Sequence, residues 1–199
     1  MPRRVRTHTN PLKRFPDLAP PAWGEVFADP ALPLVLEFGS AKGEFLAGHA
    51  RLYPRMNILG VEVRKPLAEA ARADIAAAGL VNAGVIYGNI AGRVAEFTPR
   101  GRVEAVYVFF PDPWFKKRHA KRRLVQPELL AELAAVMPTG AAINLLTDQE
   151  VQRAHITAVF DASPFFRSSP FQDLPLKSAW QEYCDRTARP YHRFRFERR

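Results

Sequence analysis

Five apolar runs alternate with amphipathic segments through the first three quarters of the chain. The runs lie at 33–39, 57–63, 83–89, 104–110 and 141–148. Segments with helical spacing of apolar residues lie between them, at 43–53, 66–79, 91–97 and 127–137. Near-continuous apolar strands that alternate with helices are typical of a parallel sheet covered on both faces. The pattern therefore predicts an α/β fold.

The two ends of the chain differ from this alternating region. Residues 1–22 carry five prolines and five Lys or Arg residues, so we interpret 1–22 as an irregular basic arm. Two further strand-like runs lie at 165–171 and 191–197, and the second alternates aromatic with basic residues. We expect residues 23–199 to form one α/β domain.

The charge balance favours an anionic partner. The chain has 22 Arg and 7 Lys against 20 acidic residues, which gives a net charge of +9. Arg suits phosphate recognition because its planar guanidinium can bind two oxygens at once. Nucleic acid is the partner that this composition favours, and a solvated basic surface is the alternative.

Cysteine and histidine usage excludes several classes of protein. Cys184 is the only cysteine, so the chain cannot form an intrachain disulfide, and no Cys or His cluster has zinc spacing. No apolar stretch approaches the roughly 20 residues that span a bilayer. We therefore expect a cytoplasmic protein with no bound metal and no membrane association.

An acid or amide stands at the carboxyl end of every strand in the alternating region. These residues are Glu37, Glu62, Asn89, Asp112 and Asp148. In open α/β sheets ligands bind outside this edge, so we expect the five side chains to share one rim. Asp and Asn at such junctions also cap helices, which is the alternative interpretation, but Glu is a poor cap.

The glycine turn after the first strand separates the candidate ligands. Gly39 and Gly43 permit tight turning and close backbone approach, but the segment is neither a P-loop nor a good G-x-G-x-x-G motif. Glu37 at its start would repel a pyrophosphate and suits a cationic or polyol ligand. S-adenosylmethionine is such a ligand, with Glu62 placed for ribose hydroxyls and Asn89 for adenine. A degenerate nucleotide site is the alternative.

Residues 109–123 read FFPDPWFKKRHAKRR and join a lone acid to a basic run. Two prolines flank Asp112, and we expect them to hold Phe110 and Asp112 extended. Trp114 is suited either to stacking on a base or to covering the sheet edge. The bases of the run are Lys116, Lys117, Arg118, Lys121, Arg122 and Arg123. A solvated helix face would mix charge signs, so this run favours contact with RNA phosphates.

The segment from Phe110 to Leu124, F-P-D-P-W-x-K-K-R-H-x-K-R-R-L, resembles the signature of bacterial tRNA (guanine(46)-N7)-methyltransferases. LEFGSAKGEFL, GVEVRKP and LLTDQE are similar to other motifs of that family, and the resemblance covers roughly residues 33–197. It implies a Rossmann-like class I methyltransferase fold. Such a fold has a mostly parallel sheet of about seven strands with an antiparallel C-terminal strand, and helices on both faces.

The resemblance also implies roles for particular residues. It implies S-adenosylmethionine contacts at Glu37, Glu62, Asn89 and Asp112, and a catalytic role for Asp112. Binding of the tRNA substrate is implied for Lys116, Asp148, Ser178 and Gln181. The chain departs from the family pattern at three places. Ser178 and Gln181 stand where the family has Thr and Glu, Ala41 where it has Gly, and Asn89 where an acid is common.

Several expectations about partners follow. We expect tRNA contacts from Arg3, Arg4 and Arg6 of the arm, and an extruded guanine received by Trp114 or by a loop at 178–181. The C-terminal bases Arg193, Arg195, Arg198 and Arg199 are expected to contact the RNA backbone. We expect a monomer or homodimer with no obligate protein partner. The alternatives are an RNA-binding protein on a decayed methyltransferase scaffold, and a methyltransferase for another substrate.

Overall fold

A computed structural model of the chain describes Phe15, residues 18–98 and residues 102–199, apart from the side chain of Lys117. One sheet of seven strands organises it, in the order β3-β2-β1-β4-β5-β7-β6. The strands are β1 (Leu34–Phe38), β2 (Asn57–Glu62), β3 (Ala83–Tyr87), β4 (Val103–Phe109), β5 (Ala142–Thr147), β6 (Phe166–Ser169) and β7 (His192–Arg198). All seven strands lie within or close to the predicted runs.

The strand directions confirm the predicted fold class. Strands β1 to β5 run parallel to one another. Strand β7 is antiparallel to both β5 and β6. The sheet is therefore mostly parallel with an antiparallel C-terminal strand, as the resemblance implies.

Within the described ranges, six α-helices accompany the sheet. They are α1 (Trp23–Val26), α2 (Glu44–Leu52), α3 (Lys65–Ala77), α4 (Pro127–Val136), α5 (Glu150–Asp161) and α6 (Ala179–Arg186). Short 3-10 helices lie at Val94–Glu96 and Lys117–Arg122. The sequence patterns predict α2, α3 and α4 but not α1, α5 or α6. The helix predicted at 91–97 is wrong, because only a single 3-10 turn forms there.

The sheet separates two apolar clusters, which explains why the strands carry so few polar residues. Leu36, Val106 and Leu145 belong to the cluster that includes α4 and α5. Val35 and Ile58 belong to the cluster that includes α2 and α3. Every residue of β1, β2 and β5 is buried, as expected of parallel strands covered on both faces.

The strand order also creates a crevice at one edge of the sheet. Strand β1 lies between β2 and β4, so the chain leaves the carboxyl ends of β1 and β4 toward opposite faces. This reversal of strand order is the topological switch point, the position where open α/β sheets bind ligands.

Some expectations fall outside the part of the chain that the structure describes. Arg3, Arg4 and Arg6 are among them, as is most of the predicted arm 1–22. Within the described ranges, no helix combines the length and the apolar character needed to cross a membrane.

Candidate active site

Glu37 lies in β1 beside the switch point and is 4% exposed. Its Oε2 atom has no hydrogen-bond partner among the described residues. Burial raises the pKa of this carboxyl to about 8, and the nearby charges of Glu44 and Glu62 add to the effect. A buried acid that has no ion pair with a basic side chain among the described residues is suited to a cationic ligand.

The turn after β1 is open beside its first glycine. Gly39 has φ +82, and apart from Gly39 and its two chain neighbours no described residue has an atom within 4 Å of the position that a Cβ would take there. The hydroxyl of Ser40 is buried and lacks a hydrogen-bond partner among the described residues. Ala41 adopts φ +49, the left-handed conformation in which glycine is favoured. The glycine of the family pattern at this position would adopt this backbone conformation without strain.

Glu62 ends β2 and is 1% exposed. Its carboxylate accepts the backbone N–H groups of Ala41 at 2.9 Å and of Arg64 at 2.8 Å. It also accepts Nε and Nη2 of Arg64 at 2.9 and 3.0 Å. Four donors saturate a carboxylate, so a ribose diol reaches Glu62 only if the Arg64 guanidinium leaves.

Asn89 follows β3 and is half-buried. Its Oδ1 accepts the backbone N–H of Ala91 at 3.0 Å, which is a local turn contact of the kind that the capping interpretation describes. The predicted adenine contact of Asn89 stays a prediction.

Asp112 lies in a loop with unusual backbone geometry at both ends. Phe110 has φ +50 and Trp114 has φ +44. The expectation that Phe110 is extended is therefore wrong. Its backbone N–H instead donates to the Leu146 carbonyl at 2.8 Å, which joins the turn to the end of β5. Asp112 lies near Arg64, since its charge helps to raise the pKa of that guanidinium, although Glu62 is the main cause.

Two side chains from distant positions bind the carbonyls of this loop. Nε2 of Gln152, on α5, donates to the carbonyl of Asp112 at 3.0 Å and to that of Pro111 at 3.4 Å. Arg123 donates through Nε to the Pro113 carbonyl at 3.0 Å and through Nη2 to the Trp114 carbonyl at 3.4 Å.

The basic run divides into outward and inward side chains. Lys116, Arg118 and Lys121 are exposed, whereas Arg122 and Arg123 are partly buried. The Arg122 guanidinium lies 5.1 Å from the Trp114 ring centroid, so Trp114 packs within its own segment. The side chain of Lys117 lies outside the described part. RNA contact by the run stays a prediction.

A second cluster gathers around Asp148, which follows β5. Its side chain is 7% exposed, and Oδ2 lies 2.7 Å from Nε of Arg189. The Arg189 guanidinium lies 5.9 Å from the Trp180 ring centroid. The ring of Phe110 lies 6.5 Å from Trp180 and 5.8 Å from Tyr191. An aromatic wall therefore connects the Asp112 loop with α6.

The expected loop at 178–181 is wrong, because these residues begin α6. The Ser178 hydroxyl accepts the Gln181 backbone N–H at 3.3 Å and thereby caps the helix. Gln181 is 6% exposed and donates through Nε2 to the Tyr191 hydroxyl at 3.2 Å. Its Oε1 is buried and has no hydrogen-bond partner among the described residues.

A cavity of about 640 Å³ lies beside α6. Glu44 of α2 lines one part of it, and Leu176, Lys177 and Glu182 line another. Glu44 is also one of the charges that raise the pKa of Glu37. The cavity therefore lies near the Glu37 end of the rim.

The C-terminal bases expected to contact RNA have partners within the protein. Arg193 pairs with Asp173 at 2.6 Å, and Arg195 lies 3.5 Å from Glu197. Arg198 and Arg199 donate to the carbonyls of Ala134 and Phe166 at 3.1 and 2.9 Å. RNA contact by these four arginines stays a prediction.

The sequence does not predict the contacts that three residues of the site make. Arg64 has a visible signal, since it stands two residues after the strand-end acid Glu62. Arg123 belongs to the basic run but binds carbonyls instead of facing outward. Gln152 has no local signal, because it contacts a loop 40 residues earlier in the chain.

Comparison with known proteins gives consistent matches over most of the chain. Residues 31–192 match the protein family described as "Putative methyltransferase". A tRNA (guanine-N(7)-)-methyltransferase of Microcystis aeruginosa is 41% identical over 82% of this chain and 80% of that protein. A protein of the same name from Thermosynechococcus vestitus is 38% identical over 92% of this chain and 86% of that protein.

Solved structures support the fold. The crystal structure of an aminoglycoside resistance methyltransferase matches with a TM-score of 0.62 and 17% identity, over 84% of this chain and 87% of that one. At this level of identity the likeness establishes the architecture alone, since one fold hosts many activities.

Proposed function

Because the chain belongs to the tRNA (guanine-N(7)-)-methyltransferase family, we propose that it methylates N7 of the guanosine at position 46 in the tRNA variable loop. The similarity to these relatives over most of the chain carries the proposal. The arrangement of the Asp112 loop and the buried Glu37 at the switch point of the sheet supports it.

S-adenosylmethionine supplies an electrophilic methyl group on a sulfonium. The residues at the rim fit this cofactor. Glu37 is a buried acid suited to its ammonium group, and the turn at Gly39 leaves room for close approach. Glu62 would accept the ribose hydroxyls once Arg64 has left it, and Asn89 would bind the adenine.

The chain needs no general base for this reaction. Guanine N7 carries a lone pair and no proton, so it would take the methyl group directly. As the nitrogen–carbon bond forms, the carbon–sulfur bond of the sulfonium would break, and the positive charge would pass from the sulfur to the base. The Asp112 carboxylate orients the guanine and stabilises the positive charge that grows on it. Its defined place in the loop matters because electrostatic stabilisation depends on groups that are already oriented.

The aromatic wall and α6 provide a surface for the target base. In folded tRNA a variable-loop base takes part in tertiary contacts, so the enzyme extrudes it. Phe110, Trp180 and Tyr191 offer ring faces, and Oε1 of Gln181 can accept from the N–H groups of guanine. Asp148 and Lys116 are the further substrate residues. Ser178 contributes as the cap that begins α6.

The outward bases bind the tRNA backbone. Lys116, Arg118 and Lys121 are exposed and adjoin the Asp112 loop, and Lys117 and Arg122 belong to the same run. The protein works in the cytoplasm, where its tRNA substrate is, as a monomer or homodimer without an obligate protein partner.

Methyl transfer to two tRNA transcripts tests the function. One transcript carries guanosine at position 46, the other adenosine, and both are incubated with the protein and methyl-labelled S-adenosylmethionine. We expect 7-methylguanosine in the first transcript and no label in the second. Equal label in both, or label only in ribosomal RNA, would contradict the proposal and favour a methyltransferase for another RNA.

A further inference from the structure

Four consecutive carbonyl groups, from Pro111 to Trp114, accept hydrogen bonds from two side chains. Gln152 binds the first two carbonyls and Arg123 binds the last two. Asp112 lies inside this run, so the backbone that carries its carboxylate is held from two sides.

Gln152 is a buried polar residue whose side-chain amide bonds to the Asp112 loop. Its side chain is 1% exposed on α5, and its amide nitrogen lies 3.0 Å from the Asp112 carbonyl. Burying an amide group costs free energy unless the group is hydrogen-bonded. The bonds to the two carbonyls therefore compensate for the burial of the Gln152 amide nitrogen. The Gln152 Oε1 atom has no hydrogen-bond partner among the described residues, which leaves the donor side as the group that is used.

Arg123 differs from the exposed bases of its run. Its guanidinium points back to the Pro113 and Trp114 carbonyls and is partly buried, whereas Arg118 and Lys121 are exposed. A planar fork can serve two neighbouring carbonyls at once, which a lysine ammonium does less well.

The backbone of the Asp112 loop is strained and forms few hydrogen bonds of its own. Phe110 and Trp114 both adopt positive φ, a conformation that is strained for residues other than glycine. Pro111 and Pro113 lack N–H groups, so the loop can form few backbone hydrogen bonds of its own. A strained loop of this kind persists only where its surroundings fix it.

We propose that Arg123 and Gln152 are positioning residues that together fix the Asp112 carboxylate, and that Arg123 does not bind RNA. The inference rests on the proposed function, in which Asp112 stabilises the cationic guanine. The two side chains form a carbonyl clamp, defined as Arg123 and Gln152 with the carbonyls of residues 111–114. The clamp also links the Asp112 loop to the basic run, because Arg123 ends that run.

Two substitutions separate the clamp from RNA binding. Arg123→Lys keeps the positive charge but loses the planar fork, and Gln152→Met keeps the size of the side chain but loses the donor. Arg102→Lys is the matched control, because Arg102 also donates to a carbonyl, that of Leu32 at 2.9 Å, next to the amino end of β4. Single-turnover methyl transfer is measured at saturating cofactor, and tRNA affinity is measured by titration at several salt concentrations.

We expect both clamp variants to lower the single-turnover rate at least tenfold while tRNA affinity stays within twofold and its salt dependence is unchanged. Arg102→Lys should keep the full rate. A wild-type rate in both clamp variants would overturn the proposal. A loss of tRNA affinity in Arg123→Lys with an unchanged single-turnover rate would overturn it as well, because it would assign Arg123 to RNA binding.

Amide hydrogen exchange of residues 109–119 gives a readout that does not depend on activity. We expect faster exchange at Asp112 and at 114–116 in both clamp variants, and no change in the Arg102→Lys control. If the unaltered protein transfers no methyl group to tRNA, the proposed function fails, and exchange alone then decides on the clamp. Unchanged exchange in both variants would overturn it.

Discussion

At the scale of single residues, Glu37 is a buried acid whose Oε2 atom lacks a hydrogen-bond partner among the described residues. Its pKa of about 8 means that the folded protein holds a proton that the unfolded chain, with a value near 4.5, has already lost at neutral pH. The stability that this proton contributes is complete below about pH 4.5 and declines as the pH rises toward 8.

Glu37→Gln should remove that pH dependence, because the amide is isosteric and does not titrate. Between pH 5.5 and 7.5 the wild type should lose up to about 1.4 kcal/mol of unfolding free energy per pH unit relative to the variant. Urea unfolding of both proteins without cofactor at several pH values measures the difference. Parallel pH profiles would show that Glu37 is not the buried acid described above.

Ala41→Gly should stabilise the protein by about 0.5–1 kcal/mol, because alanine is strained at φ +49 and glycine is not. Ala76→Gly, at an exposed site within α3, is the matched control and should destabilise by about 0.5–1 kcal/mol. Thermal unfolding of the two variants compares them directly. Destabilisation by Ala41→Gly would mean that the backbone at this turn does not require the left-handed conformation.

At the scale of elements, the basic run divides into two parts with different tasks. Lys116, Arg118 and Lys121 project outward, whereas Arg122 packs on Trp114 and Arg123 binds loop carbonyls. Composition alone treats these bases as equal. Only the fold of the segment as a 3-10 helix separates those available to phosphates from those used inside the protein.

Arg118→Gln should weaken tRNA binding and reduce the slope of log K against log salt by about 0.7–0.9, which is the effect of one lost phosphate contact. Arg55→Gln is the matched control. Arg55 is an exposed arginine just before the amino end of β2, whereas the Asp112 loop follows the carboxyl end of β4. Fluorescence titration of labelled tRNA between 50 and about 200 mM salt measures the slope. Equal slopes for wild type and Arg118→Gln would exclude this phosphate contact.

The elements also differ in how far sequence predicts them. The strands follow from their buried, apolar runs, because a strand covered on both faces has a strong signal. Helix α6 has no such signal, since it is short and polar and only Gln181 and Cys184 are buried. A motif-based interpretation of Ser178 as a substrate residue therefore overlooks its role as a helix cap.

At the scale of the whole molecule, the candidate site exists because the sheet reverses its strand order between β1 and β4. The positions of the strand-end acids on one rim follow from the parallel strands, so the sequence predicts them. Their partners do not follow, because the Glu62–Arg64 pair depends on a side-chain conformation and the Gln152 contact spans 40 residues. The sequence does not predict the positive φ of Phe110 either, because a residue that precedes proline is expected to be extended.

The central claim is that the Asp112 carboxylate stabilises the positive charge that develops on guanine. The single-turnover rate of Asp112→Asn at saturating S-adenosylmethionine and tRNA tests it most directly, because the amide keeps the shape and removes the charge. We expect the rate to fall by about 100-fold or more, with the fold retained. A rate within threefold of the wild type would contradict the claim.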